Sequence, residues 1–231
     1  MRVNRTGGSE RSPARSSATR VMIVDDHPAT REGLSLRISR QPDLEVCCEV
    51  ASVAEALQQA ESASPDVMVV DVALPDGTGI ELVKRLKGRV ESLRILVWSM
   101  YPDNLYAERA LQAGALGYLN KSADTDRVIE AIRAVSKGQV FLSDETARKL
   151  LHRAVGVQTP SVASPMDSFS DRELEVFELI GRGVTTADVA RRLHLSPHTI
   201  DTYRQRIKAK LDITSSAELT RAAVQWVLEN R

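Results

Sequence analysis

Cysteine is nearly absent from this 231-residue chain: its only two, Cys47 and Cys48, are adjacent. On an extended strand neighbouring side chains face opposite ways, and the pair has neither the C-x-x-C spacing of a redox motif nor the paired spacings of a zinc site. A disulfide scaffold and a thiolate metal centre are thereby excluded, and both thiols are expected to be inert packing residues in a reducing compartment. Long apolar runs are missing as well. No stretch approaches the ~20 residues needed to cross a bilayer, and the Arg- and Ser-rich N-terminus lacks the apolar centre of a secretory signal, so a cytoplasmic protein with no membrane partner is expected. Net charge is absent only as a sum. Residues 21–139 hold 13 basic against 18 acidic side chains, whereas from Arg182 to Lys210 seven basic residues stand against only Asp188 and Asp201. An acidic front and a locally basic back point to different partners.

What remains is an ordinary globular composition, 42% apolar and 27% charged, at a length that suits two domains. Residues 1–19, rich in Ser, Gly and Arg, offer little to bury and read as a disordered tail. From residue 20 to 139 short apolar runs alternate with segments of helical period. The runs are Val21–Val24, Val46–Val50, Val67–Val70, Ile95–Trp98 and Gly117–Leu119; the helical segments are Thr30–Arg40, Val53–Ala63, Gly79–Val90, Asn104–Ala113 and Asp126–Lys137. Five strands alternating with five helices predict an α/β fold, a doubly wound five-stranded parallel sheet of flavodoxin-like type with helices on both faces. Residues 140–168 read as a linker holding one short helix over Ser143–Arg153, and residues 169–231 as a small all-α domain that begins at the capping-box pattern Ser170-Asp-Arg-Glu173.

Doubly wound sheets bind ligands at the carboxyl ends of their strands. Asp25 and Asp26 follow the first strand, Asp71 ends the third, Ser99 ends the fourth and Lys121 follows the fifth, so all five converge on one pocket. Three crowded carboxylates repel one another unless a cation sits among them, and hard oxygen ligands with room for water and phosphate suit Mg²⁺. One carboxylate can then attack a phosphoryl group and form an acyl phosphate. Asp71 is the expected acceptor, with Lys121 and Ser99 contacting the phosphoryl oxygens. The bland readings differ in weight. Pro75-Asp76-Gly77 is mostly turn chemistry, Tyr118 suits strand filling, and His27 reads as a local capping or packing residue. Three unpartnered carboxylates at strand ends, by contrast, are costly.

The set Val24-Asp25-Asp26-His27-Pro28, Val70-Asp71-Val72-Ala73-Leu74-Pro75-Asp76-Gly77, Ser99 and Gly114-Ala115-Leu116-Gly117-Tyr118-Leu119-Asn120-Lys121 resembles the receiver domain of response regulators. The resemblance implies phosphate transfer from a sensor histidine kinase to Asp71, with Asp26, Asp71 and the Ala73 carbonyl binding Mg²⁺ and Asp25 helping through water. It also implies a switch in which Ser99 moves toward the phosphate and Tyr118 turns inward. A phosphatase of the haloacid dehalogenase type would share the nucleophile and Mg²⁺. It needs a second aspartate two residues on as general acid, where this chain has Ala73, so a switch is expected rather than an enzyme.

The C-terminal part parses as helices over Asp171–Gly181, Thr186–Leu193, Pro197–Leu211 and Ser216–Glu229, the second and third joined by the short turn of a helix-turn-helix. Ser196 caps and Pro197 starts the recognition helix. Ile200, Tyr203, Ile207 and Leu211 form its apolar stripe; His198, Asp201, Thr202, Gln205 and Lys208 lie opposite, flanked by Arg204 and Arg206. The run from Phe169 through Leu211 resembles the LuxR-type DNA-binding domain, which together with the receiver resemblance identifies the chain as a member of the NarL/FixJ family. That resemblance places Asp201, Thr202 and Gln205 at base edges and Arg204, Lys208 and Lys210 at phosphate or groove; Asp201 departs from the lysine frequent there and leaves the operator sequence open. It also implies pairing through the last helix, where Leu219, Val224 and Val227 read as exposed, although some of them must finish the four-helix core; a homodimer on half-sites of double-stranded DNA is expected. The resulting reading is a phosphorylation-controlled transcription regulator. Its alternative is a DNA-binding regulator whose receiver is a phosphate-independent interaction module.

Overall fold

The computed structural model describes residues 18–124, 126–155 and 165–229; residues 1–17 of the expected tail and 156–164 of the expected linker lie outside them. Thr19, assigned to the tail on composition, already belongs to the first strand. Its amide is held by the Asp43 carbonyl at 2.8 Å.

The α/β domain is a five-stranded parallel sheet. Its strands are β1 (Thr19–Val24), β2 (Leu44–Val50), β3 (Val67–Val70), β6 (Arg94–Ser99) and β7 (Gly117–Asn120), in the order β2-β1-β3-β6-β7. Side-chain alternation sorts them onto two faces. Met22, Val24, Met68, Val70, Ile95 and Val97 pack with α2 (Val53–Ala63), α3 (Gly79–Lys87) and α4 (Asp103–Ala113). Val21, Ile23, Val67, Val69 and Leu96 pack with α1 (Pro28–Ser39) and α5 (Arg127–Ser136). A strand buried on both faces must be apolar, which is why the inner runs of β1, β3 and β6 show no polar alternation, while the edge strand β2 carries Glu45 and Glu49.

Between β3 and α3 the chain makes a small hairpin absent from the sequence reading, β4 (Ala73–Leu74) against β5 (Gly77–Thr78). Asp76 at its tip does more than turn the chain. Its carboxylate accepts from the amides of Val53 and Ala54 at 2.7 and 2.8 Å, so it caps the N-terminus of α2 and pins this loop to it. Thr78 and Glu81 form a capping box at the start of α3. Gly79 is there because nothing larger fits: a Cβ would stand 2.0 Å from the Asp71 carbonyl oxygen. That close approach seats the helix directly behind Asp71.

α6 (Asp144–Ala154) follows, its Thr146 amide donating to Ser143 Oγ at 3.3 Å, so Ser143 caps the helix expected over Ser143–Arg153. The linker closes on a 3₁₀ turn at Pro165–Ser168. The helical domain comprises α7 (Asp171–Gly181), α8 (Thr186–Arg192), α9 (Pro197–Lys210) and α10 (Ser216–Glu229). Ser170 and Glu173 complete the expected capping box, and Ser196 accepts from Thr199 N at 3.0 Å. Leu219 corrects the reading of the last helix: it is fully buried, and Val227 is half-buried, because both finish the core around α7. Leu228 instead joins Val224 in the open.

Candidate functional site

The five strand-end residues do converge. Asp25 and Asp71 are 2% and 5% exposed and Ser99 1%, positions where charged groups survive only with partners. Lys121 supplies them. Its Nζ lies 2.5 Å from both Asp25 Oδ2 and Asp71 Oδ2, placed by its own amide bond to the Ser99 carbonyl at 2.8 Å. Burial works to lower the lysine's pKa; the two carboxylates more than offset it, and the net shift is upward. The remaining Asp71 oxygen accepts from Ser99 Oγ at 2.6 Å. Asp25 is fixed from behind by the His27 amide at 2.9 Å.

Asp26 completes the cluster. One oxygen each from Asp25, Asp26 and Asp71 and one His27 nitrogen all lie within 4.8 Å of one another. His27 is not the capping side chain the sequence suggested. It occupies the N-cap of α1 without a side-chain bond, and its Nδ1 instead sits 2.6 Å from Asp26 Oδ1, without the alignment of a hydrogen bond. That buried oxygen has no hydrogen-bond partner. Crowded carboxylates and an orphaned oxygen fit a hard divalent cation. Ala73 stands in the same loop, at the start of β4.

Tyr118 is buried and turned inward, its hydroxyl donating to the Tyr101 carbonyl at 2.8 Å. Burial, with Asp103 and Asp71 near, drives its phenol pKa far up. Ser99 and Tyr118 thus already hold the inward positions that the resemblance assigns to the switched state.

Sequence reasoning missed what lies next to them. Tyr101, two residues past Ser99, donates to Glu175 Oε1 of α7 at 2.7 Å; Arg172 pairs the other Glu175 oxygen at 2.6 Å. Arg172 also reaches the carbonyls of Leu74 and Leu193 at 3.3 and 3.4 Å. Arg109 and Lys84 converge on Asp171 at 3.0 and 3.3 Å. Glu175 and Glu178 are fully sealed, and burial raises both carboxyl pKa values, that of Glu178 to about 7 despite its Arg182 partner. One local signal existed: α7 carries four acids among apolar residues on every face, too few open positions to solvate them all.

On α9, Ile200 and Ile207 are buried, with Tyr203 and Leu211 half-buried, as the period predicts. His198, Asp201, Thr202 and Gln205 are exposed. The basic side chains are partly engaged: Arg204 lies 3.4 Å from Thr186 Oγ1, Lys208 bonds the Thr214 carbonyl, and Lys210 bonds Ser168 O and Glu173 Oε2 at 2.8 and 2.6 Å. Arg206 lies over the Tyr203 ring at 5.9 Å. No helix among the described residues is long and apolar enough to cross a membrane.

Comparison with known proteins agrees with this division. Residues 21–133 match the response regulator receiver domain and residues 167–223 the luxR family of bacterial regulatory proteins. Response regulator GacA of Pseudomonas protegens is 34% identical over 206 residues, covering 89% of this chain and 95% of that protein. A two-component response regulator of the LuxR family from Aurantimonas is 35% identical with a TM-score of 0.56, over 60% of this chain and 99% of that one. RcsB of Salmonella enterica, solved bound to promoter rprA in the presence of the phosphomimetic BeF3-, shares the fold at 22% identity, with a TM-score of 0.59 over 88% of this chain and 97% of that one. With its acidic pocket at the strand ends and its helix-turn-helix behind, the chain belongs to the NarL/FixJ family of two-component response regulators, DNA-binding transcription regulators that join a receiver to a LuxR-type domain.

Proposed function

We propose that a sensor histidine kinase phosphorylates Asp71 and that the phosphoryl group controls DNA binding by the C-terminal domain. The observation that carries this reading is the environment of Asp71: a buried carboxylate whose two oxygens are held by Ser99 Oγ and Lys121 Nζ at 2.6 and 2.5 Å. A carboxylate oxygen of Asp71 attacks phosphorus and the P–N bond of the phosphohistidine breaks, its electron pair returning to the imidazole. No general acid is needed for so labile a donor. Asp25, Asp26, Asp71 and the Ala73 carbonyl would hold Mg²⁺, which would neutralise the phosphoryl oxygens. Lys121 and Ser99 then turn from Asp71 to those oxygens, with Tyr118 packed behind.

Asp201, Thr202 and Gln205 face base edges, His198 lies on the same DNA-facing stripe, and Arg204, Lys208 and Lys210 meet the phosphates or groove of a duplex. Two copies pair through α10, whose Val224 and Leu228 are exposed, to address adjacent half-sites. The setting is cytoplasmic, and the domain bounds are 19–139, with Thr19 in the first strand, 140–168 and 169–231. RcsB, solved on promoter DNA with a phosphomimetic, supplies the precedent of fold for both halves of this reading. The test compares wild type and Asp71→Asn for promoter binding and self-association, with and without Mg²⁺ and a small-molecule phosphodonor. Wild type should tighten on DNA and Asp71→Asn should not; equal responses end the proposal.

A further inference from the structure

The DNA-binding domain rests on the mouth of the acidic pocket. His194, in the turn between α8 and α9 at φ +52°, places Nε2 3.4 Å from Asp26 Oδ2, while the other Asp26 oxygen faces His27. Arg172 ties this turn to the pocket rim through the carbonyls of Leu193 and Leu74. Tyr101 binds Glu175 from the loop that begins at Ser99. The helix-turn-helix domain therefore grips each of the three receiver loops that follow β1, β3 and β6, and at Asp26 it touches a carboxylate of the cation site itself.

We propose that the His194 turn and a divalent cation are rivals for Asp26, so that cation loading alone loosens the docked DNA-binding domain before any phosphoryl transfer. The inference rests on the reading of the pocket as a Mg²⁺ site. An imidazole nitrogen and a divalent cation both draw on the negative charge of one carboxylate, so each weakens the hold of the other. Mg²⁺ would also keep several waters of its own, which would need room beside Asp26, where His194 now lies. Linkage makes the effect reciprocal: the factor by which docking weakens the cation is the factor by which the cation weakens docking.

The test uses the full chain. Mg²⁺ affinity is measured by calorimetry, and docking by hydrogen exchange of the amides of residues 171–178. His194→Asn suits the left-handed backbone and is too short to reach Asp26; Tyr101→Phe removes a docking bond without touching the cation site. His194→Asn should bind Mg²⁺ about fivefold more tightly and Tyr101→Phe by a smaller factor in the same direction. Saturating Mg²⁺ should speed exchange over residues 171–178 in wild type, and His194→Asn should exchange fast without it. Unchanged or weaker Mg²⁺ binding by His194→Asn, or wild-type exchange indifferent to Mg²⁺, overturns the rivalry. Tightening by His194→Asn with none by Tyr101→Phe overturns its link to docking. If neither wild type nor variant binds Mg²⁺, the metal reading of the pocket falls first, and this inference with it.

Discussion

The chain keeps two sets of charged side chains under opposite conditions. Between the sheet edge and α7 they are sealed: Asp25, Asp71, Glu175 and Glu178 are at most 5% exposed and depend on Lys121, Arg172 and Arg182 for compensation. Along α9 they stand open, with Asp201 and Arg206 in solvent beside the polar His198 and Gln205. The difference separates two ways of using charge. Inside, removing one partner strands another, and the effect falls on folding. Outside, water compensates, folding is indifferent, and the effect falls on what the surface binds. The first set is fit to sense a group entering the pocket, the second to read a ligand without disturbing the fold that carries it.

The strongest break of that contrast is Lys121→Met. It leaves Asp25 and Asp71 facing each other in a buried pocket, and the expected cost is about 3–5 kcal/mol, read by thermal unfolding. Mg²⁺ should recover more stability in Lys121→Met than in wild type, since a divalent cation restores the missing positive charge. Equal Mg²⁺ responses would show that the lysine is not what compensates the carboxylates.

Glu178 gives the next effect, through pH. Burial raises its pKa from 4.5 to about 7 in the packed chain, because its Oε2 has no hydrogen-bond partner and only Arg182 engages the other oxygen, at 2.5 Å. Glu175, Tyr106, Tyr101, Tyr118 and Arg192 are the other ionisable groups near it. A raised pKa favours the protonated form in the folded state. Its contribution is therefore whole below about pH 4.5, declines as pH rises toward 7 and is lost beyond it. The decline amounts to about 3 kcal/mol, and Glu178→Gln should flatten it. Melting temperatures at pH 5 and 7.5 decide, and parallel losses in both proteins would exclude Glu178 as the group responsible.

The two sets also differ in how far the sequence disclosed them. All five receiver strands and their helices were legible, since the inner strands β1, β3 and β6 are buried on both faces and run apolar, the edge strand β2 keeping a recognisable run despite Glu45 and Glu49, and the strand-end rule then delivered Asp25, Asp26, Asp71, Ser99 and Lys121 to one pocket. The cap that Asp76 sets on α2 and the place of His27 in the carboxylate cluster were not legible, because short polar side chains look the same whether they turn, cap or ligate. Nor were the contacts of Tyr101, Arg109, Arg172 and His194 across the domain boundary. They join residues up to 168 positions apart, from Asp26 to His194, and leave no periodic trace. Leu219 was misplaced because a four-helix domain this small buries more of its last helix than an amphipathic stripe suggests.

The smallest effect sharpens the comparison most. Gln205 is exposed on the solvent stripe of α9, so Gln205→Ala should leave stability within about 0.5 kcal/mol of wild type. If it reads a base edge, its loss relaxes discrimination at one base pair by about 1–3 kcal/mol. Being neutral, it should leave the salt dependence of binding untouched. Lys208→Ala should behave oppositely, weakening binding to all sequences alike and lowering the slope of affinity against salt by about one. Binding to a set of single-base operator variants at two salt concentrations separates them. A Gln205→Ala protein that melts several degrees early, or that weakens uniformly with a shallower salt slope, would place this residue with the sealed charges or the phosphate contacts instead of the reading face.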